Sequence, residues 1–203
     1  MPDPSTGILL PPLEVLAQRL EQTLRTRSSG ADPAAGRRSA VLVGLHAGPR
    51  GPALLLTKRT AHLRHHPGQI SLPGGSYDAA DMTLATTALR ETEEELGINR
   101  SQVRILGELD EVSTMASSFV ISPFVGLILG SPRIVPEPYE IDRVIVVDVA
   151  QVLRHDATMP ADIPPLELRY PIDGEDVWGA TARILRLFVR AVRTALLAGP
   201  GQR

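Results

Sequence analysis

The sequence predicts an α/β architecture in which helices flank a mixed, largely antiparallel β-sheet. Strand-like and helical segments alternate along the chain, and this order is typical of a sheet covered by helices. Two short apolar runs at residues 39–46 and 53–58, separated by glycines and a proline, predict a pair of adjacent strands. Four further strands are predicted at residues 103–109, 119–129, 143–149 and 166–170, and three helices at residues 12–25, 82–96 and 177–197.

The composition is that of a globular protein and excludes several kinds of chemistry. The 203 residues carry a formal charge of −2 and only 3% aromatic residues, so neither phosphate contacts nor base stacking points to a nucleic-acid partner. The absence of cysteine rules out disulfide bonds, thiolate catalysis and cysteine-ligated zinc. The function must therefore rest on carboxylates, histidines, hydroxyls or basic side chains.

The N-terminal region has two parts with different patterns. Leu13, Leu16 and Leu20 recur at helical spacing after Pro12, which favours an amphipathic helix over residues 12–25. Residues 27–38 contain serines, glycines and a proline without an apolar period, which is typical of a linker. We therefore expect a helix and linker at residues 1–38 and the main domain at residues 39–203.

No segment has the pattern of a secretory leader or a membrane span. The first ten residues lack a basic start followed by an apolar run, and the most apolar segment, residues 118–130, is too short to cross a bilayer. We expect a cytoplasmic protein without a membrane partner. The apolar faces of the first and last helices offer surfaces for a homodimer.

The last helix carries four arginines on roughly one stripe. The stripe either binds an acidic partner or forms the solvated face opposite an apolar one, and the second arrangement is the ordinary one for an amphipathic helix. We therefore expect a solvated face. The four residues are Arg183, Arg186, Arg190 and Arg193.

A cluster of carboxylates lies on the helix predicted at residues 82–96. Glu91 and Glu95 share one margin of its apolar stripe, and Glu94 lies just outside Glu91. Like charges at this spacing repel each other by about 0.2–0.5 kcal/mol per pair, and a divalent cation turns this repulsion into a binding site. Hard carboxylate oxygens suit Mg²⁺ or Mn²⁺. An acidic, solvated helix face is the alternative. The apolar stripe consists of Ala85, Ala88, Leu89, Thr92 and Leu96.

The residues around this helix favour the metal site. Gly74 and Gly75 let the backbone approach a ligand closely, and their carbonyls are candidate ligands for a hard cation, although a simple tight turn is the alternative. Gly97 supplies a left-handed residue at the end of the helix. Arg90 either orients a carboxylate or is solvated.

Residues 90–98, with the sequence RETEEELGI, resemble the second half of the Nudix signature, G-x5-E-x7-R-E-U-x-E-E-x-G-U with U aliphatic. Thr92 is the one departure in this half. In the first half, strict spacing places the acid at Met82, whereas Asp81 stands one residue earlier. An aspartate at this shifted position resembles one branch of the family, the coenzyme A pyrophosphatases.

That branch also has an upstream signature, L-L-T-x-R-(S/T)-x-x-L-R-x-H-x-G-x-x-S-F-P-G-G. Residues 55–75 of this chain read LLTKRTAHLRHHPGQISLPGG, and only Leu72, where phenylalanine is usual, breaks the fixed positions. The two adjoining signatures together cover about a fifth of the chain. Their combination is specific to the branch.

The resemblance implies the α+β Nudix fold for residues 39–203, with a mixed sheet sandwiched between helices and the signature forming a loop-helix-loop. It implies metal-dependent hydrolysis of the pyrophosphate bond of coenzyme A to 3′,5′-ADP and 4′-phosphopantetheine. Mg²⁺ or Mn²⁺ would be held by Glu91, Glu94, Glu95 and Gly75, with Arg90 beside them in the catalytic centre.

The reaction also needs a base for the attacking water and cations for the phosphates. Glu140 is the candidate base, with Asp110 and Glu111 as rivals, and an uninvolved loop acid is the more common role for such a residue. The cations that precede the glycine pair are expected to contact the phosphates with Gly74, because arginine suits bidentate contacts there, unless they are only surface charges. They are Lys58, Arg59 and Arg64.

Three alternatives remain open from the sequence. Another Nudix activity, on ADP-ribose or a nucleoside triphosphate, fits the signature helix equally well. A catalytically silent nucleotide-sensing module would be marked by loss of the carboxylates, which are present here. His62, His65 and His66 are numerous enough for zinc, but adjacent histidines converge poorly on one ion, so we expect a hydrogen bond within the loop for His66.

Overall fold

The computed structural model describes residues 8–24, 37–114 and 119–198. Its helices are α1 Leu13–Thr23, α2 Leu84–Leu96, α3 Val149–Thr158 and α4 Gly179–Leu197. Its strands are β1 Arg37–Gly48, β2 Gly51–Arg59, β3 Ile70–Ser71, β4 Gly74–Ser76, β5 Val103–Glu108, β6 Val112–Ser113, β7 Phe119–Ile128, β8 Ile141–Asp148, β9 Tyr170–Ile172 and β10 Glu175–Val177.

Eight of these strands form one mixed sheet, as predicted. Strand β1 is central and runs parallel to β7 over nine register pairs, from Arg37–Phe119 to Leu45–Leu127. The other pairings in the described ranges are antiparallel, with β5 and β6 beside β7 and with β8 beside β2. Strands β9 and β10 form a separate hairpin.

The sheet is split between β1 and β2. These strands pair only near their connecting turn, from Gly48–Gly51 to Leu45–Leu54. Beyond that point β3 pairs with β2, and β4 pairs with the beginning of β1. The chain between β3 and β4 bridges the gap, where the carbonyl of Pro73 accepts a hydrogen bond from Leu42 N at 2.8 Å. The split therefore brings the Gly74-Gly75 backbone next to β1.

Helices cover both faces of the sheet, which confirms the predicted sandwich. On one face α1 and α4 form the main core, in which Leu16, Leu20 and Phe188 are fully buried. Each such side chain contributes roughly 1.5–3 kcal/mol through burial. On the other face α2 packs through Ala88 and Leu96 onto the sheet. The N-terminal helix thus shares the core of the main domain, and of the predicted linker only Arg37 and Arg38, both in β1, lie within the described residues.

Helix α2 begins two residues later than predicted. Met82 has φ 63°, outside the right-handed helical region. Thr83 is the N-cap, and its hydroxyl accepts a hydrogen bond from Thr86 N at 3.1 Å. The helix ends as expected at Gly97, which has φ 67°.

The region between β8 and α4 differs most from the prediction. Helix α3 was not predicted at all, and the strand predicted at residues 166–170 is wrong except for Tyr170. Pro164 and Pro165 lack amide donors, and the segment that follows them forms a turn before β9. Helix α4 begins at Gly179 because Val177 belongs to β10. No helix in the described ranges is both long enough and apolar enough to span a bilayer.

The expectation of a solvated arginine stripe on α4 is wrong for Arg186. Its side chain is 11% exposed and forms an ion pair with Asp156, which is 1% exposed, at 3.1 Å. Arg193 pairs with the same carboxylate at 2.9 Å, and the Tyr170 hydroxyl donates to it at 2.7 Å. A buried carboxylate requires such partners, so part of the stripe anchors α4 to α3.

Candidate active site

Helix α2 places Glu91 and Glu95 on one edge, as their spacing predicts, and this edge lies beside the glycine pair. Gly75 lies so close to the Glu91 carboxylate that a Cβ on residue 75 would overlap with it. Glu95 Oε2 accepts a hydrogen bond from Gly74 N at 3.3 Å. Both carboxylates therefore contact the Gly74-Gly75 backbone, and a side chain at position 75 would have to displace the Glu91 carboxylate.

Arg90 orients the carboxylates instead of being solvated. Its Nε and Nη2 donate to the two oxygens of Asp81 at 2.9 and 3.1 Å. It also forms ion pairs with Glu91 and Glu94, both at 2.9 Å. The carbonyl of Ser76 accepts a further bond from Nη2 at 3.3 Å. One guanidinium thus joins the loop before α2 to two acids of the helix.

Asp81, the shifted acid of the signature, is the anchor of Arg90. It ends a short 3₁₀ turn, Ala79–Asp81, and its side chain is 4% exposed. The Thr87 hydroxyl donates to it at 2.8 Å. The hydrogen bonds from Arg90 hold the pKa of the Asp81 carboxyl below its usual value, despite the opposing effect of burial. The Asp81 carboxylate is therefore ionised and is held in an ion pair with Arg90.

Burial makes the carboxyls of Glu91 and Glu95 costly to ionise and so raises the pKa of both. Burial raises the pKa of Glu95 to about 8, although Arg59 and the Gly74 amide lower it. Burial also raises the pKa of Glu91, against the attraction of Arg90. Glu140 raises the pKa of both carboxyls through like-charge repulsion. A cation between these acids would offset the cost of ionising them.

Arg59 lies between Glu95 and Glu140. Its Nη1 is 3.8 Å from Glu95 Oε1, and its Nη2 is 4.0 Å from Glu140 Oε2. Its Nε is buried and has no hydrogen-bond partner among the described residues. Buried N–H groups are normally paired, so this donor fits a polar ligand at the site.

Backbone contacts hold the Glu140 segment against the site. Thr60 N donates to Glu140 O at 2.9 Å, and the Thr60 hydroxyl donates to Tyr139 O at 2.8 Å. Glu137 N donates to Glu95 O at 2.9 Å, which ties the same segment to the end of α2. The segment before β8 is thus fixed to both β2 and the signature helix.

The structure does not bring Lys58 and Arg64 to this cluster. The alternation of β2 puts Lys58 on the face of Leu54 and Leu56, where its Nζ forms an ion pair with Glu175 of β10. Its predicted phosphate contact is therefore not supported by the geometry. Arg64 is exposed, and no ion pair holds it within the described part of the chain.

The rival bases and the histidines have other contacts. Glu111 forms an ion pair with Arg38 and accepts a hydrogen bond from Ser122 Oγ at 3.1 Å, and Asp110 is exposed. His66 bonds to Gln69 Oε1 at 2.9 Å, as expected for a loop histidine. The ring of His62 lies 4.7 Å from that of Tyr139.

The donor set at the site fits Mg²⁺ or Mn²⁺. In the residues that the structure describes, no three His, Asp or Glu side chains form a complete ligand set. Mg²⁺ does not require one, because it usually binds one or two carboxylates and completes its shell with water and substrate phosphate oxygens. Glu91, Glu95 and the backbone of Gly75 supply that partial set, while Glu94 points to Arg90.

Two residues to which the sequence analysis gave no role in the site support it. Thr60 holds the Glu140 segment, and Asp81 holds Arg90. Both residues stand at signature positions, and the hydroxyl or acid found there was the sequence feature that could have identified them. Thr92 replaces an aliphatic residue, and its buried hydroxyl donates to Ala88 O at 2.7 Å. The polar atom is thereby satisfied inside the helix, so the replacement leaves the buried face intact.

Sequence similarity to known proteins extends over most of the chain. The family model described as the NUDIX domain matches residues 36–167. "Uncharacterized Nudix hydrolase NudL" from Pectobacterium atrosepticum is 36% identical over 154 residues, which are 73% of this chain and 79% of the relative. NudL from Yersinia pestis (strain Pestoides F) is 34% identical over 164 residues, which are 78% of this chain and 81% of the relative.

Solved structures with low sequence identity share the fold. RenU from M. smegmatis aligns with a TM-score of 0.53 at 18% identity, over 81% of this chain and 88% of that one. The NUDIX domain of Shewanella oneidensis NrtR, solved with ADP-ribose, aligns with a TM-score of 0.53 at 18% identity, over 83% of this chain and 95% of that one. The C. elegans Ap4A hydrolase aligns with a TM-score of 0.53 at 17% identity, over 80% of this chain and 99% of that one.

Proposed function

This chain belongs to the Nudix hydrolase family, whose members cleave pyrophosphate bonds in nucleoside diphosphate derivatives, and we propose that its own substrate is coenzyme A or a coenzyme A derivative. The observation that carries the proposal is the signature at residues 55–75, which resembles that of the coenzyme A pyrophosphatases. Arg59, Thr60 and Gly74 from this signature all contact acids of the site or their backbone. Residues of this signature thus contact Glu95 and the Glu140 segment, which supports the proposal.

The side chains of the site divide the work of hydrolysis. Glu140 is the proposed base: its carboxylate is 45% exposed, so water reaches it, and it accepts the proton of the attacking water. Arg59 donates to phosphate oxygens through its buried Nε, which has no hydrogen-bond partner among the described residues. Arg90 keeps Glu91 and Glu94 in position.

Glu91 and Glu95, with Gly75 and with Glu94 once it leaves Arg90, would hold Mg²⁺ or Mn²⁺. When bound, the metal neutralises phosphate charge and lowers the pKa of the attacking water. Water adds to one phosphorus and the bridging P–O bond breaks. Coenzyme A then yields 3′,5′-ADP and 4′-phosphopantetheine.

Product analysis tests the proposal. The purified chain is incubated with Mg²⁺ and either coenzyme A or ADP-ribose, and we expect 3′,5′-ADP and 4′-phosphopantetheine from the former. Cleavage of ADP-ribose alone would contradict the assignment of substrate but not of family. We expect Glu140→Gln to lower kcat about 10²–10⁴-fold if it is the base. Glu137→Gln, in the same segment, is the matched control.

A further inference from the structure

A cavity of about 190 Å³ lies against the arginine stripe of α4. Arg183, Arg186 and Arg190 form one wall, and Asp110 and Glu111 from the β5–β6 connection lie on the other. The rest of the lining is mainly apolar and comes from β6, Leu187 and the segment at residues 161–168. No step of the proposed hydrolysis uses these arginines.

Arg186 builds the cavity. Besides its ion pair with Asp156, its Nη2 donates to Pro160 O and Ala161 O, both at 3.3 Å. These bonds tie the opposite wall to α4. The buried ion pair with Asp156 fixes Arg186, and the two carbonyl contacts connect it to the other wall.

Arg183 and Arg190 retain N–H donors for a ligand. Arg183 Nη1 donates to Ser113 O at 2.7 Å, and Arg190 is exposed. Neither forms an ion pair within residues 8–24, 37–114 and 119–198. Of the two acids on the wall, Glu111 is already paired with Arg38, which leaves Asp110 against two arginines. The cavity therefore carries a net positive charge next to apolar walls, which strengthens its attraction for an anion.

Size and position point to one group of a larger ligand. The cavity is smaller than the roughly 300–1,000 Å³ of complete ligand pockets, so it accommodates a single anionic group. Gly75 pairs with Ala40, Ala40 pairs with Ser122, and the Ser122 hydroxyl contacts Glu111 on the cavity wall. Two strand spacings therefore separate Gly75 from Ser122 by about 10 Å, and the cavity wall begins at Glu111, one side-chain contact beyond Ser122.

We propose that Arg183 and Arg190 bind a phosphate group in this cavity. For its preferred source the inference rests on the proposed function: coenzyme A carries, besides the pyrophosphate that is cleaved, a 3′-phosphate on its ribose. An inorganic phosphate ion has the same chemistry and is the second source.

Steady-state kinetics with coenzyme A and dephospho-coenzyme A test the first source. In the double variant Arg183→Gln/Arg190→Gln, the ratio of KM for coenzyme A to KM for dephospho-coenzyme A rises about tenfold, the change that corresponds to ~1.4 kcal/mol. Arg193→Gln is the control, because it removes a positive charge from the same helix outside the cavity. The control keeps the wild-type ratio.

Thermal unfolding with inorganic phosphate tests the second source. The cavity is assigned to a free phosphate ion by two results together. The KM ratio stays unchanged, and phosphate raises the Tm of the wild type and of Arg193→Gln but not that of the double variant. An unchanged ratio without such a rise overturns the proposal. If neither substrate is hydrolysed, the proposed function fails, while the unfolding experiment still decides whether the cavity binds phosphate.

Discussion

Glu95→Gln is expected to stabilise the metal-free protein at pH 8 and to change its stability little at pH 5. Glu95 is 5% exposed, and burial raises the pKa of its carboxyl from 4.5 to about 8. Because the folded protein holds this proton more tightly than the unfolded chain, the contribution is fully present below pH 4.5 and is lost as the pH rises towards 8. Glutamine has the same shape and no proton to lose.

The expected size follows from the same carboxyl. Between pH 5 and pH 8 the ionisation of Glu95 costs the wild-type protein roughly 3–4 kcal/mol of unfolding free energy, relative to the variant. A bound Mg²⁺ would offset this penalty by neutralising the carboxylate. We therefore expect Mg²⁺ to stabilise the wild type more at pH 8 than at pH 5, and to stabilise Glu95→Gln little.

Urea unfolding in EDTA at pH 5, 6, 7 and 8 measures the effect. Glu93→Gln is the control, because Glu93 points away from the site and pairs with Arg100 at 2.8 Å. The difference in unfolding free energy between wild type and Glu95→Gln should change with pH, and the difference for Glu93→Gln should not. If the difference in unfolding free energy between wild type and Glu95→Gln stays constant from pH 5 to pH 8 within ~0.5 kcal/mol, the carboxylate at position 95 is not costly to ionise in the folded protein.

Three further substitutions test neighbouring features. Gly75→Ala displaces the flexible end of Glu91, so kcat should fall about 10²-fold while Tm changes by only a few degrees; normal kcat would contradict this. Asp81→Asn removes the charged acceptor of two Arg90 hydrogen bonds but leaves the ion pairs with Glu91 and Glu94, and it should lower the unfolding free energy in urea by about 2 kcal/mol, with less than ~1 kcal/mol speaking against an anchor. Met82→Gly relieves a left-handed residue that is 79% exposed and should add about 1 kcal/mol; a loss of stability would show that the methionine side chain matters.

Elements with a long apolar period were predictable from sequence, and elements set by tertiary contacts were not. Helix α4 and strands β1 and β7 lie within two residues of their predicted bounds. Helix α3 was not predicted because it begins directly at the end of β8. The strand period of two and the helical period of 3.6 therefore merge in the sequence. The strand predicted at residues 166–170 rested on alternation alone, which two preceding prolines override.

The site was predictable where it follows helix geometry. The spacing of Glu91 and Glu95 sufficed to place both on one edge of the helix, whereas their contact with the glycines is a tertiary feature. The role of Asp81 depends on a 3₁₀ turn and a left-handed Met82, which no local pattern announces. The different positions of Lys58 and Arg59 follow from the sequence alone. Adjacent residues of a strand lie on opposite faces of the sheet, so only one of the two could face the carboxylates.

The pairing of β4 with β1 has a consequence for the dynamics of the site. Residues 74–76 hydrogen-bond as a strand to residues 39–41, so the backbone that contacts the carboxylates belongs to the central sheet. Segments around a binding site usually open at little cost, but here opening also breaks the ladder of β1. Those amides of residues 74–76 that bond to β1 should therefore exchange with solvent about as slowly as those of the core. Local unfolding of the glycine segment is then not required for turnover.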